Sequence, residues 1–172
     1  MNRRAVLTRI VQGFTVVGAG FLSYPFLKAF LPSAATNDDV EVDISDLSPG
    51  EWKSVTWQGR HVTVVKRGIN FVPDGSVALK DPSSTASTQP AFAQKPGRSR
   101  RDDVFVAFSN CTHLGCEVRV RFDEPDLGFE CPCHQSRFDQ AGRVYDDAVA
   151  LYNLEVPEYK FLSRNVIKFL RD

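Results

Sequence analysis

The sequence predicts an all-β body of antiparallel strands carrying one membrane-spanning helix at its N-terminus. Three features point there. Short runs in the body alternate apolar and polar residues, or are rich in β-branched residues, which is strand patterning. Turn residues such as Pro49-Gly50, Gly59 and Asp74-Gly75 separate them. The only long apolar stretch lies at the start of the chain, and no long amphipathic helix follows it.

Residues 1–9 hold Arg3, Arg4 and Arg9 without an acid, and Arg3-Arg4-Ala5-Val6-Leu7 is similar to a twin-arginine export signal. Residues 10–31 are apolar save for a few small or polar positions and Lys28. At ~1.5 Å per residue they reach about 33 Å, enough for the hydrocarbon core of a bilayer. Tyr24 and Lys28 suit the outer interface, and the leading arginines place the N-terminus in the cytoplasm and the body outside. A cleaved signal ending near Ser33-Ala34-Ala35 is the competing reading, although its apolar core would exceed the usual ~7–15 residues. Residues 32–39, polar and small, are predicted to form a flexible tether.

Residues 40–172 form the body. Strands are expected over 40–44, 61–66, 117–122, and near 129–131, 152–156 and 166–170. Val104-Phe-Val-Ala-Phe108 is apolar throughout, as in a strand covered on both faces. Residues 80–103 hold three prolines and the basic run Arg98-Ser-Arg-Arg101, and the expectation is a solvated surface loop, with a partner-contacting excursion as the alternative. The net charge is zero over 21 basic and 21 acidic residues, but the first 32 residues have four bases and no acid. The body is therefore mildly acidic, which excludes a nucleic-acid partner, whose binders need a basic face.

All four cysteines fall between Cys111 and Cys133, where a disulfide framework would scatter them. They form two boxes, Cys111-Thr-His113-Leu-Gly-Cys116 and Cys131-Pro-Cys133-His134-Gln-Ser136, which contain two of the three histidines. A structural zinc site in an interaction module is one reading. It is weakened because neither cysteine pair has C-x₂-C spacing and four ligands suffice for zinc.

C-x-H-x-G-C followed by C-x-C-H-x-S resembles the paired boxes of the Rieske family, and the likeness continues through Asp139-Gln-Ala-Gly-Arg-Val144 and Asn153-Leu-Glu-Val-Pro157. With the anchor, the chain is similar to the Rieske subunits of bacterial quinol–cytochrome c oxidoreductases, the cytochrome bc complexes. The resemblance implies a Rieske-type β-sandwich head with a cluster-binding subdomain and one [2Fe–2S] cluster. It assigns Cys111 and Cys131 to one iron, His113 and His134 to the other, and Cys116–Cys133 to a disulfide, which an oxidising compartment would preserve. It makes Leu114 a lid, gives the Ser136 hydroxyl to a bridging sulfide, and makes His134 the quinol contact and proton acceptor. The implied function is transfer of one electron, with a proton, from quinol to a c-type cytochrome. The implied setting is a dimeric complex with cytochrome b in the bacterial inner membrane, the head in the periplasm. Such a chain is an oxidoreductase subunit and not a complete enzyme; the small Rieske subunit of an exported oxidase such as arsenite oxidase is the alternative.

Three positions depart from that pattern. Phe138 stands where high-potential members place a tyrosine that donates to a cysteine sulfur, so the expected potential is lower. Residues 147–151 lack the two prolines of the usual Gly-Pro-Ala-Pro loop, so a less rigid, more acidic loop is expected. Gln135 replaces a glycine, with no consequence legible in sequence.

Overall fold

The computed structural model describes residues 2–30, 40–68, 77–87, 89–124 and 127–170. The predicted tether, 32–39, and the Asp74-Gly75 turn lie outside the described residues. The chain forms two units, one holding the helix and the other the β-rich head.

Helix α1 spans Arg3–Phe30, starting seven residues before the apolar stretch, and none of its residues is buried. It is long and apolar enough to cross a membrane. Its hydroxyls bond back to its own carbonyls, Thr8 to Arg4, Thr15 to Val11 and Ser23 to Gly20, as hydrocarbon surroundings require.

The head holds three three-stranded antiparallel sheets. β1 (Glu41–Asp43), β8 (Tyr159–Phe161) and β9 (Val166–Phe169) form one, in the order β1-β9-β8. β2 (Trp52–Trp57), β3 (Arg60–Lys66) and β4 (Val104–Phe108) form the second. β5 (Arg119–Val120), β6 (Phe129–Glu130) and β7 (Arg137–Phe138) form a small third sheet, which carries the second cysteine box between β6 and β7. Gln58 and Gly59, at φ 50° and 73°, make the two-residue turn between β2 and β3, where both positions need positive φ.

All five residues of β4 are buried, as its unbroken apolar run predicts. Aromatic rings join the layers. Trp57 lies 5.4 Å from Phe169 and 5.9 Å from Phe108, linking the two larger sheets, and Phe105 lies 5.7 Å from Phe129 in the small one.

The structure corrects three expectations. No strand forms over 152–156. There Gln89 takes the place of a neighbouring strand, its side chain accepting from Val156 N and donating to Leu154 O. β2, β7 and β8 lack a clear sequence signal and form because sheet neighbours supply their bonds. The largest correction concerns 80–103, expected to be solvated: Asp81, Ser84, Ser87, Ala93, Arg98 and Ser99 are buried. Arg98 donates to the carbonyls of Ala141, Gly142 and Leu154. Arg67, also buried, donates to Gly97 O, Gln140 O and Ser99 Oγ. Burial lowers the pKa of these guanidinium groups, to about 9 for Arg98 and about 10 for Arg67. Arg100 pairs with Glu158 and lies 4.0 Å over Phe92, while Arg101 pairs with Asp103 and lies 4.4 Å over Phe161. The basic run is thus turned inward, where backbone carbonyls, acids and aromatic faces absorb it.

Candidate metal centre

The two boxes fold into turns with the same frame. In the first, Cys111 N donates to Cys116 O and Gly115 N to Cys111 O; in the second, Cys131 N donates to Ser136 O and Gln135 N to Cys131 O. The fifth position of each turn is left-handed, Gly115 at φ 80° and Gln135 at 56°. Gln135 therefore occupies a conformation that favours glycine, which is the consequence the sequence concealed.

Equivalence of the turns makes Cys111 and Cys131 counterparts at their first positions, both buried and free. The histidines are offset by one residue, third in the first turn and fourth in the second. They consequently present different faces: His134 is exposed, whereas His113 is half-buried and its Nδ1 is sealed from solvent without a hydrogen-bond partner. The rings meet edge to face with centroids 4.7 Å apart. Cys116 and Cys133 form a disulfide across the turns, Cα to Cα 6.5 Å. The sulfurs of Cys116, Cys131 and Cys133 lie within 4.8 Å of one another, but two of the three are consumed in that bond, leaving two thiols for a metal.

Burial pushes the Cys111 thiol pKa up, with hydrogen bonds from the His113 backbone and the Ser136 side chain pulling the other way. Ser136 is itself buried and its oxygen accepts from Ala150 N at 3.1 Å. The segment 147–151 is also tied by Arg137, which pairs with Asp147 at 2.6 Å, and by Lys80, which donates to Ala148 O and Ala150 O. Thr112 Oγ1 reaches Tyr152 O at 2.5 Å. The loop expected to be slack for want of prolines is held by these side chains. Around it Leu114, 72% exposed, Val149, Leu151 and Tyr152 leave apolar surface open. Phe138 is buried in the small sheet.

The donor set fits a [2Fe–2S] cluster of mixed ligation. Two thiols face two imidazoles, and the orphaned Nδ1 of His113 is a buried lone pair or proton that metal ligation would satisfy. Zinc would find the same four donors, so the choice between them comes from the rest of the frame and from kinship.

A family model described as the Rieske [2Fe-2S] domain matches residues 40–155. The ubiquinol–cytochrome c reductase iron–sulfur subunit of Allochromatium vinosum is 38% identical, over 96% of this chain and 86% of that protein. Its counterpart from Rickettsia conorii is 31% identical, over 97% and 92%. A solved chain of a hyperthermophilic respiratory Complex III shares the fold, with a TM-score of 0.52 at 20% identity over 93% of this chain and 98% of that one. The chain belongs to the Rieske [2Fe–2S] family. Its cofactor is accordingly a Rieske-type cluster.

Several residues that shape the site escaped the sequence reading. Asn153 is buried, accepting from Val144 N and donating to Asp81 O and Ser84 Oγ. Asp81 accepts from the backbone of Thr85, Ala86 and Ser87 and from the Ser87 hydroxyl. The signal that could have found them was the Asp81-Pro-Ser-Ser-Thr run, a side-chain-to-backbone turn pattern.

Proposed function

We propose that this chain is the membrane-anchored iron–sulfur subunit of a ubiquinol–cytochrome c reductase, taking one electron and one proton from a quinol and passing the electron to a c-type cytochrome. One observation carries this reading: an exposed imidazole, His134, emerges from a ring of exposed apolar side chains directly above two buried thiols. Cys111, Cys131, His113 and His134 would hold the cluster, which supplies a one-electron acceptor when bound. Neutral imidazoles in place of two thiolates leave such a site less negative and raise its potential above that of an all-cysteine ferredoxin.

The chain's own groups do the rest. His134, fixed by the frame of its turn, presents its outer ring nitrogen to receive a quinol hydroxyl. Leu114, Val149 and Leu151 bear on an apolar partner surface and exclude water there. Ser136 donates toward the Cys111 side of the site. The Cys116–Cys133 disulfide fixes the spacing of the turns. Residues 32–39 serve as the tether on which the head moves between quinol and haem sites, α1 anchors it in a bacterial inner membrane with its N-terminus cytoplasmic, and the complex is a dimer with cytochrome b. The 38% identity with a ubiquinol–cytochrome c reductase subunit supports this assignment.

The test is EPR of the reduced full chain beside iron and acid-labile sulfide analysis. A rhombic signal of low average g-value, with iron and sulfide in equal amount, is expected. Zinc in place of iron, or an all-cysteine-type signal, would refute the assignment.

A further inference from the structure

Residues 147–151 form a short loop without proline, yet its backbone is fixed by an unusual grip. The Lys80 ammonium donates to the carbonyls of Ala148 and Ala150, the second at 3.0 Å. Those carbonyls lie on either side of the peptide unit joining Val149 and Ala150. The N–H of that unit donates to Ser136 Oγ at 3.1 Å. With a lone pair engaged there, the hydroxyl hydrogen of Ser136 is directed to its other partner, the Cys111 sulfur.

Lys80 is itself placed by backbone bonds. Leu79 bridges Tyr145, Lys80 N donates to Val144 O at 3.2 Å, and Asp146 N donates to Ala78 O at 3.0 Å. The lysine therefore stands on a short two-strand contact beside the loop it grips, and no other cation is recorded on those two carbonyls among the described residues. A rotation of the Val149–Ala150 peptide would break the bond to Ser136 and free the hydroxyl to turn from the sulfur. The grip opposes that rotation.

We propose that Lys80 is a positioning residue for electron transfer: by clamping the carbonyls of Ala148 and Ala150 it holds the Ser136 hydroxyl on the Cys111 sulfur and so tunes the reduction potential through Ser136. This rests on the assignment of Cys111 to the cluster. A donor to sulfur stabilises the more negative, reduced state, so loosening the clamp lowers the potential.

The experiment is a cycle of Lys80→Met, Ser136→Ala and the double variant, with Lys80→Arg for rescue, in the full chain carrying its cluster. Midpoint potentials come from EPR-monitored titration. Amide exchange of the peptide covering 147–151 is read in parallel. Lys80→Met should lower the midpoint, Lys80→Arg should restore most of it, and the double variant should sit where Ser136→Ala alone does. Exchange over 147–151 should quicken on the order of tenfold in Lys80→Met, as for loss of one hydrogen bond. An equal shift from Lys80→Met with and without Ser136 would mark a through-space charge effect and overturn the proposal, as would an unchanged midpoint. If Lys80→Met assembles no cluster, Lys80→Gln, which keeps a donor, takes its place with the same two outcomes. Should the unsubstituted chain lack the rhombic signal, the ligand assignment fails instead, and that result is read before any variant.

Discussion

Arg98 has no exposed surface, and its guanidinium donates to three backbone carbonyls from two segments that underlie the cluster-binding turns. Replacing it with methionine keeps most of the volume and removes every donor. Leu154 O retains the Gln89 amide, so the carbonyls of Ala141 and Gly142 lose the donor recorded for them. Buried acceptors without partners cost ~1–3 kcal/mol each, or about 2–6 kcal/mol together. Relief of the buried cation's desolvation returns part of that, which leaves a net loss of about 2–3 kcal/mol. For a domain of this size 1 kcal/mol moves Tm by about 3–5 °C, so a fall of about 6–15 °C is expected. Thermal unfolding of the cluster-loaded chain by circular dichroism at one scan rate measures it. Lys53→Met, which removes an exposed pair with Asp46 worth less than ~1 kcal/mol, is the control. An Arg98→Met chain that melts with the control would refute the structural role of the basic run.

Other outcomes follow from the same geometry. Ser136→Ala removes a donor from the cysteine sulfur and should lower the midpoint by about 60 mV, equivalent to ~1.4 kcal/mol for one electron, in a redox titration. Phe138→Tyr adds a hydroxyl beside the second box and should raise the midpoint; an unchanged value would show that it reaches no sulfur. Gln135→Gly should raise Tm slightly, because relief of ~1 kcal/mol of left-handed strain is partly cancelled by a freer unfolded chain, whereas Gly115→Ala, whose new methyl meets nothing within 4 Å, should lower it on backbone strain alone. Asp81 is held below the ordinary carboxylate pKa despite burial, by Ser87 and the Thr85, Ala86 and Ser87 amides. Its folded pKa is depressed, so its contribution is complete above the unfolded value of 3.8 and fades as pH falls below it; Asp81→Asn should flatten that acid limb of an unfolding-versus-pH profile.

The cysteine boxes were legible because their spacing is dictated by a cofactor, and β4 because burial on both faces demands an unbroken apolar run. The helix was legible in type, though its first turns at Arg3 were not, since a polar sequence can continue a helix already nucleated downstream. Strands β5 to β7 are two residues long and exist through tertiary pairing, which leaves little periodicity to read. Residues 80–103 misled for a physical reason. Serines, prolines and arginines ordinarily mark solvent, and here they are buried because each polar atom meets a backbone group, a relation between residues up to 56 apart that composition does not carry. Likewise the missing prolines of 147–151 suggested slackness, while the lysine that restrains the loop stands 68 residues upstream of its first bonded carbonyl.

The two turns hang from unequal supports. Cys111 follows closely on β4, wholly buried and paired along its length with β3. Cys131 and Ser136 are carried by β6 and β7, two residues each. Local opening draws on the smallest buried contact, so the second turn separates from the head at far lower free energy than the first. Cofactor loading and loss then become ordered events: the half of the site rooted in β4 persists as a template, and the half bearing His134 closes last and opens first.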